Sequence, residues 1–228
     1  MDDVDYRIGA VECPMDSPSR GIRMTGHTHI VAGVAAAASV AAITHHPITP
    51  ALLVWGGLGG LAPDLDHPEA LLTRRIPGWR TLARWGQGTG WWRHRGLWHS
   101  VLLWAVTLLL IPMAGDLGAH GVWALAVGVG HPAWALALWR WWGSDGLWGW
   151  GAGYLSHMLV DTWNTSGVQW FWPIRIWVHS PIPNITVGTW PEDVVRWAIL
   201  GMMVWWMPQV GLLVAVTSWV VYRGIHWL

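Results

Sequence analysis

The sequence lacks lysine, contains one cysteine and has few charged residues. Its 13 basic residues, all arginine, balance 13 acidic residues, so bulk charge gives no indication of nucleic-acid binding. The single cysteine, Cys13, excludes an internal disulfide framework and a thiolate metal cluster. Charged residues make up 11% of the chain, roughly half the usual share. A soluble all-helical protein is therefore the less favoured alternative, because little polar surface is available to cover it.

The chain contains six apolar segments whose lengths suit a lipid bilayer. A spanning helix needs about 20 apolar residues, and several of the segments are shorter. Pro208 is expected to divide the last segment, because proline removes a backbone donor. The sequence therefore predicts an all-α, polytopic membrane helical bundle with short, partly broken or re-entrant helices. The segments are 29–44, 48–62, 97–113, 121–142, 147–163 and 194–222.

Residues 1–23 differ in composition from the rest of the chain. They are polar and have no apolar h-region, so we expect a disordered tail rather than a cleavable signal peptide. Residues 24–228 are expected to form one membrane-embedded domain. Met24 directly precedes the patterned region, which suggests the hypothesis that it is the native start. Mass spectrometry of the N-terminus of the natively expressed protein tests this hypothesis.

The polar connection 67–96 is rich in arginine. Glu69 is its one acidic residue after His67, and the positive-inside rule predicts that the connection faces the cytoplasm. A short amphipathic helix near residues 69–86 would lie along the membrane surface, with a basic face that suits anionic lipid or an anionic substrate. The alternative is a solvated loop whose arginines only fix topology. The arginines are Arg74, Arg75, Arg80, Arg84, Arg93 and Arg95.

Asp64 and Asp66 close the second apolar segment in the motif GLAPDLDHP. Two carboxylates two residues apart in a turn suit a shared cation, whereas the alternative is helix capping. His67 would then be a partner that supports a ligand. His94 and His99 follow in HRGLWHS, the first in a loop and the second in the first turn of a helix.

His157 and Asp161 are four residues apart and therefore lie on one helix face. An aspartate in an apolar helix is costly unless it is paired or binds a cation, so metal ligation competes with a simple His–Asp hydrogen bond. His27 at the start of the first segment is a weaker candidate ligand. We interpret the remaining histidines as structural or interfacial: His29, His45, His46, His120, His131, His179 and His226.

Topology constrains whether these groups can meet. If residues 121–142 formed one straight spanning helix, His157 and Asp161 would reach the opposite face from Asp64 and His99. The sequence therefore predicts a break at Gly130-His131-Pro132, since proline interrupts a helix.

The motifs GHTHIVAG, GLAPDLDHP, HRGLWHS and GYLSHMLVDTWNTSGVQWFWPIRI occur in this order over residues 24–208. This succession resembles the YdjM-like family of predicted membrane-bound metal-dependent hydrolases, which is distantly similar to zinc-dependent phospholipase C and P1 nuclease. The resemblance implies that Arg175, after Trp-Pro, is a candidate phosphate contact. It also implies the metal ligands His27, Asp64, Asp66, His94, His99, His157 and Asp161.

These observations predict a membrane-bound hydrolase of phosphoesters, acting on a phospholipid or related anionic substrate. Imidazole and carboxylate ligands suit zinc, manganese or iron, and seven ligands exceed the need of one zinc, which indicates two ions. Asp64 or Asp66 would bridge or accept a proton, and Arg95 or Arg175 would balance charge on phosphate. We expect a multi-pass inner-membrane protein with its site toward the cytoplasm. The alternative is a non-catalytic, metal-stabilised scaffold or regulator, and a transporter is the least favoured interpretation.

Overall fold

The computed structural model describes residues 26–89, 95–128, 141–163, 167–180 and 190–227, with Trp92, Ala133, Ala137 and Trp139 as single positions between them. Two short 3-10 turns, Pro63–Asp66 and Leu97–His99, connect helices. The described residues form seven α-helices: α1 (Gly26–Ile43), α2 (Pro50–Gly59), α3 (Trp79–Gly88), α4 (Val101–Gly128), α5 (Ser144–Thr162), α6 (Trp190–Trp206) and α7 (Pro208–Trp227).

Helices α1, α2 and α5 form the centre of the bundle, and glycines allow them to pack closely. A Cβ atom on Gly33 would lie 2.2 Å from the Gly56 carbonyl oxygen, and one on Gly153 would lie 2.1 Å from the same oxygen. These distances are too short for any residue but glycine, so the small residues bring the three backbones into contact. Buried Ile30, Val34, Leu52 and Leu53 fill the space around these contacts.

The length and composition of its helices indicate that this is a membrane protein. Among the described residues, α1, the Val101–Gly118 part of α4 and α7 are long and apolar enough to cross a bilayer. Only 11% of the Val101–Gly118 window is buried inside the protein, against 61% of α1, so α4 presents its apolar surface to lipid. The predicted fold class, an all-α membrane helical bundle, is confirmed.

The structure confirms one helix boundary and corrects another. Helix α6 ends at Trp206 and α7 begins at Pro208, as the proline predicts. In contrast, α4 continues from Val101 to Gly128 through residues that the sequence analysis placed between two separate segments. A single exposed charge, Asp116, does not end the helix, and its side chain accepts a hydrogen bond from Trp139. The predicted break at residues 130–132 and the predicted tail at 1–23 lie outside the described residues.

The amphipathic helix is shorter than predicted. Residues 69–78 form turns, and α3 begins only at Trp79, because Gly78 adopts a left-handed conformation (φ 77°) that interrupts the helix. Ala83 is buried against the protein, whereas Arg80 and Arg84 are exposed and both contact Glu69. The Arg80 hydrogen bond lowers the pKa of Glu69.

The helices alternate in direction and thereby bring distant segments to one end of the bundle. We call the end that holds Asp64, Asp66, His99 and His157 the site end, and the end that holds the α1–α2 connection and the start of α5 the far end. His157 Nε2 lies 3.7 Å from Asp64 Oδ1. The prediction that the α5 histidine meets the Asp64–Asp66 turn is therefore confirmed.

Candidate metal centre

Six histidine and aspartate side chains converge at the site end. His99 Nε2 is 3.2 Å from His157 Nε2, 3.5 Å from an Asp161 oxygen and 3.8 Å from an Asp64 oxygen. His99 Nδ1 is 3.7 Å from Asp66 Oδ2. Five of the six residues are at most 1% exposed, whereas the Asp64 side chain is 18% exposed. Asp64 is thus the one member of this group with a partly open side.

Polar contacts to its backbone hold the Pro63–Asp66 turn in place. Thr73 Oγ1 donates to the Asp64 carbonyl oxygen at 3.2 Å, and Trp79 Nε1 donates to that of Leu65 at 2.9 Å. Gln87 Nε2 donates to the Asp66 carbonyl oxygen at 3.1 Å. Helix α3 and the turns before it therefore position the two carboxylates.

The histidine that α1 contributes is His29, and this corrects the prediction that named His27. His29 stacks on His157 with ring centroids 3.8 Å apart, and its Nε2 lies 3.5 Å from Asp161 Oδ1. His27 instead packs on Tyr222 of α7, with ring centroids 3.2 Å apart. Side chains two residues apart on an α-helix differ in direction by about 200° around the helix axis, so only one of these histidines can face the cluster.

The backbone of Gly60 fixes the orientation of His157. The Gly60 carbonyl oxygen lies 2.6 Å from His157 Nδ1, which leaves Nε2 directed at the cluster. This is the arrangement that metal-binding histidines commonly adopt, with the second ring nitrogen held by a carbonyl. A Cβ atom on Gly60 would lie 2.3 Å from the His29 carbonyl oxygen, so glycine also allows α1 to approach here.

Arg95 supports the carboxylates from a strained backbone position. Its φ angle is 65°, in the left-handed region, and its backbone N–H donates to Asp66 Oδ2 at 3.3 Å. Its guanidinium Nε lies 3.5 Å from Asp161 Oδ2. The residue is 8% exposed, so its geometry suits the orienting of these carboxylates, whereas the predicted charge balance on phosphate stays a prediction.

Charge at the cluster favours a cation. Burial lowers the pKa of His99, but the Asp161 and Asp66 carboxylates outweigh burial and raise that pKa to about 9. Burial raises the pKa of Asp64, but His157 and His29 outweigh it and lower that pKa. The carboxylates of Asp64, Asp66 and Asp161 lie together in this region. Within the described part of the chain, Arg95 is the only arginine whose side chain contacts one of them.

The donor atoms fit a divalent metal ion. Two trios of ligand atoms each lie within 4.8 Å of one another: His29, Asp64 and His157, and His99, His157 and Asp161. Two imidazole nitrogens bound to one tetrahedral zinc stand about 3.3 Å apart, which matches the His99–His157 spacing. Neither oxygen of Asp161 has a hydrogen-bond partner within the described part of the chain, although nitrogens lie at 3.5–3.7 Å. A buried carboxylate at these distances has room for a cation between it and the imidazoles.

The sequence analysis missed a buried carboxylate behind the cluster. Glu192, at the start of α6, is 5% exposed and accepts a hydrogen bond from Thr28 Oγ1 at 2.7 Å. Thr28 directly precedes His29, so this bond ties the beginning of α1 to α6. The sequence gives one indication of it, a pair of acidic residues in the first turn of an apolar helix.

The other predicted site residues lie elsewhere or cannot be placed. His94 lies outside the described residues. Arg175 is exposed in the loop that the Val168–Val178 bridge closes, and its predicted phosphate contact stays a prediction. The same loop supports the site, because Gln169 N donates to the Arg95 carbonyl oxygen at 3.2 Å.

Comparison with known proteins relates this chain to a family of membrane proteins. Residues 24–227 match the family described as YdjM inner membrane protein. The inner membrane proteins YdjM of Escherichia coli K12 and Shigella flexneri are each 31% identical over 153 residues, which is 65% of this chain and 62% of each relative. A Bacillus subtilis protein, YvsG, is 25% identical over 177 residues, which is 75% of this chain and 87% of that protein. No solved structure matches significantly. Because the family match spans most of its length, this chain belongs to the YdjM family of inner membrane proteins.

Proposed function

We propose that this protein is a membrane-bound, metal-dependent hydrolase of phosphoesters. The observation that carries the proposal is the convergence of His29, Asp64, Asp66, His99, His157 and Asp161, with Asp64 alone partly exposed. Six side chains exceed the three protein ligands of a typical catalytic zinc, which favours a pair of divalent ions, with zinc as first choice and manganese or iron as alternatives. When bound, such ions activate water and stabilise charge on a phosphoryl oxygen.

Exposure and contacts suggest a different catalytic role for each residue. Asp64 faces the open side and accepts the proton of the attacking water, whose oxygen forms a bond to phosphorus as the ester P–O bond breaks. The leaving alkoxide then takes up this proton from Asp64, which restores the carboxylate. Asp66 and Asp161 stay buried, and Arg95 orients both of them through its backbone N–H and its guanidinium. The positioning of charged groups before the reaction lowers its barrier.

An anionic substrate suits the surroundings of the open side. Exposed Arg74, Arg80 and Arg84 belong to the segment whose side chains hold the Asp64–Asp66 turn. The site also lies at one end of a membrane bundle, where lipid headgroups are the abundant phosphoesters. We propose that this end faces the cytoplasm, because the arginine-rich connection 67–96 belongs to it.

A second function has its own supporting observation. Five of the six candidate ligands are at most 1% exposed, which is the closed arrangement expected of a structural metal that holds helices together. In that case the protein would be a metal-stabilised scaffold or regulator. The two proposals differ in whether a coordination position is open to small ligands.

Cobalt substitution separates the two proposals. The purified full chain is loaded with Co²⁺, and its visible absorption spectrum is recorded with and without inorganic phosphate. A hydrolase shifts its spectrum on phosphate addition and hydrolyses members of a panel of phosphodiesters and phospholipids. An unchanged spectrum with no turnover would favour the scaffold. Absence of bound metal in the native protein would reject both.

A further inference from the structure

An apolar groove lies between α4 and α5 on the lipid-facing side of the bundle. Its volume is about 320 Å³, which is within the range of small-molecule sites. None of the described residues that line it carries a charge, so a polar or ionic ligand would lose hydration there without compensation. The lining includes Trp104, Leu108, Leu147, Trp148, Gly151 and Leu155.

Small residues on α5 give the groove its shape. Trp104 Nε1 donates to the Gly151 carbonyl oxygen at 3.0 Å, so the indole lies directly over the α5 backbone. A Cβ atom on Gly151 would approach the Leu108 side chain to 3.1 Å. A larger residue at position 151 would therefore enter the space that the groove occupies.

The dimensions and location of the groove match a lipid acyl chain. From Leu147 to Leu155 the helix rises about 12 Å, compared with about 15 Å for half of a hydrocarbon core. The groove adjoins the outer surface of α4, where Leu102, Leu109 and Leu110 are 48–68% exposed and face lipid. A hydrocarbon chain can thus enter it directly from the bilayer.

One end of the groove lies at the level of the candidate metal centre. Leu155 precedes the ligand His157 by two residues, or about 3 Å along the helix axis. Leu155 and Trp104 pack against buried Tyr154 and Met158, and Met158 directly follows the candidate ligand His157 on α5. A headgroup attached to a chain in the groove would therefore lie near the site end.

From this geometry we infer that the groove binds an acyl chain of the lipid whose phosphoester is the substrate. That the bound lipid is also the substrate rests on the proposed function, but acyl-chain binding can be measured independently. The test uses the full chain in lipid nanodiscs that contain phosphatidylglycerol with a diazirine on one acyl chain. After photolysis, peptide mapping by mass spectrometry locates the labelled residues.

We expect labelling concentrated on the groove residues of α4 and α5. Gly151→Leu and Leu108→Trp, which fill the groove from opposite walls, should each reduce this labelling by about tenfold, because several buried methylene groups are displaced. Gly201→Leu is the matched control, since a Cβ atom at Gly201 meets nothing within 4 Å. Having two filling variants protects the test against misfolding of either one.

Labelling spread evenly over exposed α4 residues such as Leu109 would identify ordinary boundary lipid and overturn the inference, as would unchanged labelling in both filling variants. Hydrolysis assays separate this failure from that of the proposed function. If the groove binds the acyl chain of the substrate, Leu108→Trp slows turnover of phosphatidylglycerol. It leaves turnover of bis(4-nitrophenyl) phosphate, which has no acyl chain, unchanged. Groove labelling without turnover of either substrate would support acyl-chain binding and reject the hydrolase.

Discussion

The two ends of the bundle each pair histidine with a buried aspartate, yet their geometries differ. At the far end, Asp145 accepts a hydrogen bond from Thr49 Oγ1 at 2.7 Å and pairs with His46 Nε2 at 3.0 Å, so each carboxylate oxygen has a partner. At the site end, the oxygens of Asp161 lie 3.5–3.7 Å from their nearest nitrogens. Direct hydrogen bonds close the far end, whereas the spacing of the site end suits a cation.

This difference shows that residue type alone does not identify a metal site. Asp145 and Asp161 both lie on α5, and both are at most 7% exposed. Their partners distinguish them: a hydroxyl and one imidazole in the first case, and three imidazoles with a guanidinium in the second. A hydroxyl and one imidazole satisfy a single carboxylate, whereas several imidazoles around it form a candidate ligand set.

The largest expected effect comes from exchanging the two aspartates for alanine. Asp161→Ala should lower metal affinity by about 100-fold or more, because it removes a candidate ligand. Asp145→Ala should leave metal content unchanged and cost about 1–3 kcal/mol of stability through its unpaired partners. Metal analysis by mass spectrometry and thermal unfolding measure the two outcomes. Equal metal loss in both variants would remove the distinction between the ends.

A second pair of variants tests which α1 histidine belongs to the site end. His29→Ala should reduce metal affinity by tens of fold, since His29 contacts Asp161 and His157. His27→Ala should retain the metal and lose about 1 kcal/mol of stability with its Tyr222 contact. Isothermal titration with Zn²⁺ compares the two. Metal loss in His27→Ala alone would restore the prediction from the sequence.

Two threonines offer a matched comparison of intermediate size. Thr28→Val removes the hydrogen bond to Glu192 beside His29 and should weaken metal binding about tenfold, with recovery in Thr28→Ser. Thr49→Val removes the bond to Asp145 and should cost about 1 kcal/mol of stability without affecting the metal. Zinc titration and thermal unfolding are measured on all three variants. A failure of serine to restore binding would indicate that Thr28 acts through packing.

The smallest effect is expected for Glu192→Gln. Its amide oxygen can still accept the Thr28 hydrogen bond, so metal affinity should change by only about threefold or less. A change as large as that of Thr28→Val would mean that the negative charge of Glu192, and not its hydrogen bond, supports His29. The same zinc titration decides between these two explanations.

Local sequence features predict the membrane class and much of the candidate ligand set. Hydropathy identified most of the helical segments, because apolar length is a local property of the chain, but it divided α4, which is continuous over Val101–Gly128. Pro208 marked a helix boundary for the same local reason. Spacing placed His157 and Asp161 on one helix face, and the turn Pro63–Asp66 followed from its proline and its two acids.

Packing between the helices determines which groups meet. The choice of His29 over His27 depends on the rotation of α1 against α5, which close glycine contacts such as Gly60 with His29 set. The partnership of Thr28 with Glu192 joins residues 164 positions apart, and no local pattern encodes such a distance. The sequence does not distinguish Asp145 from Asp161. The packing of neighbouring helices gives Asp145 direct hydrogen-bond partners and surrounds Asp161 with three imidazoles. Residue types and their spacing are local properties of the chain, whereas the geometry of a site arises from contacts between segments that are far apart in the sequence.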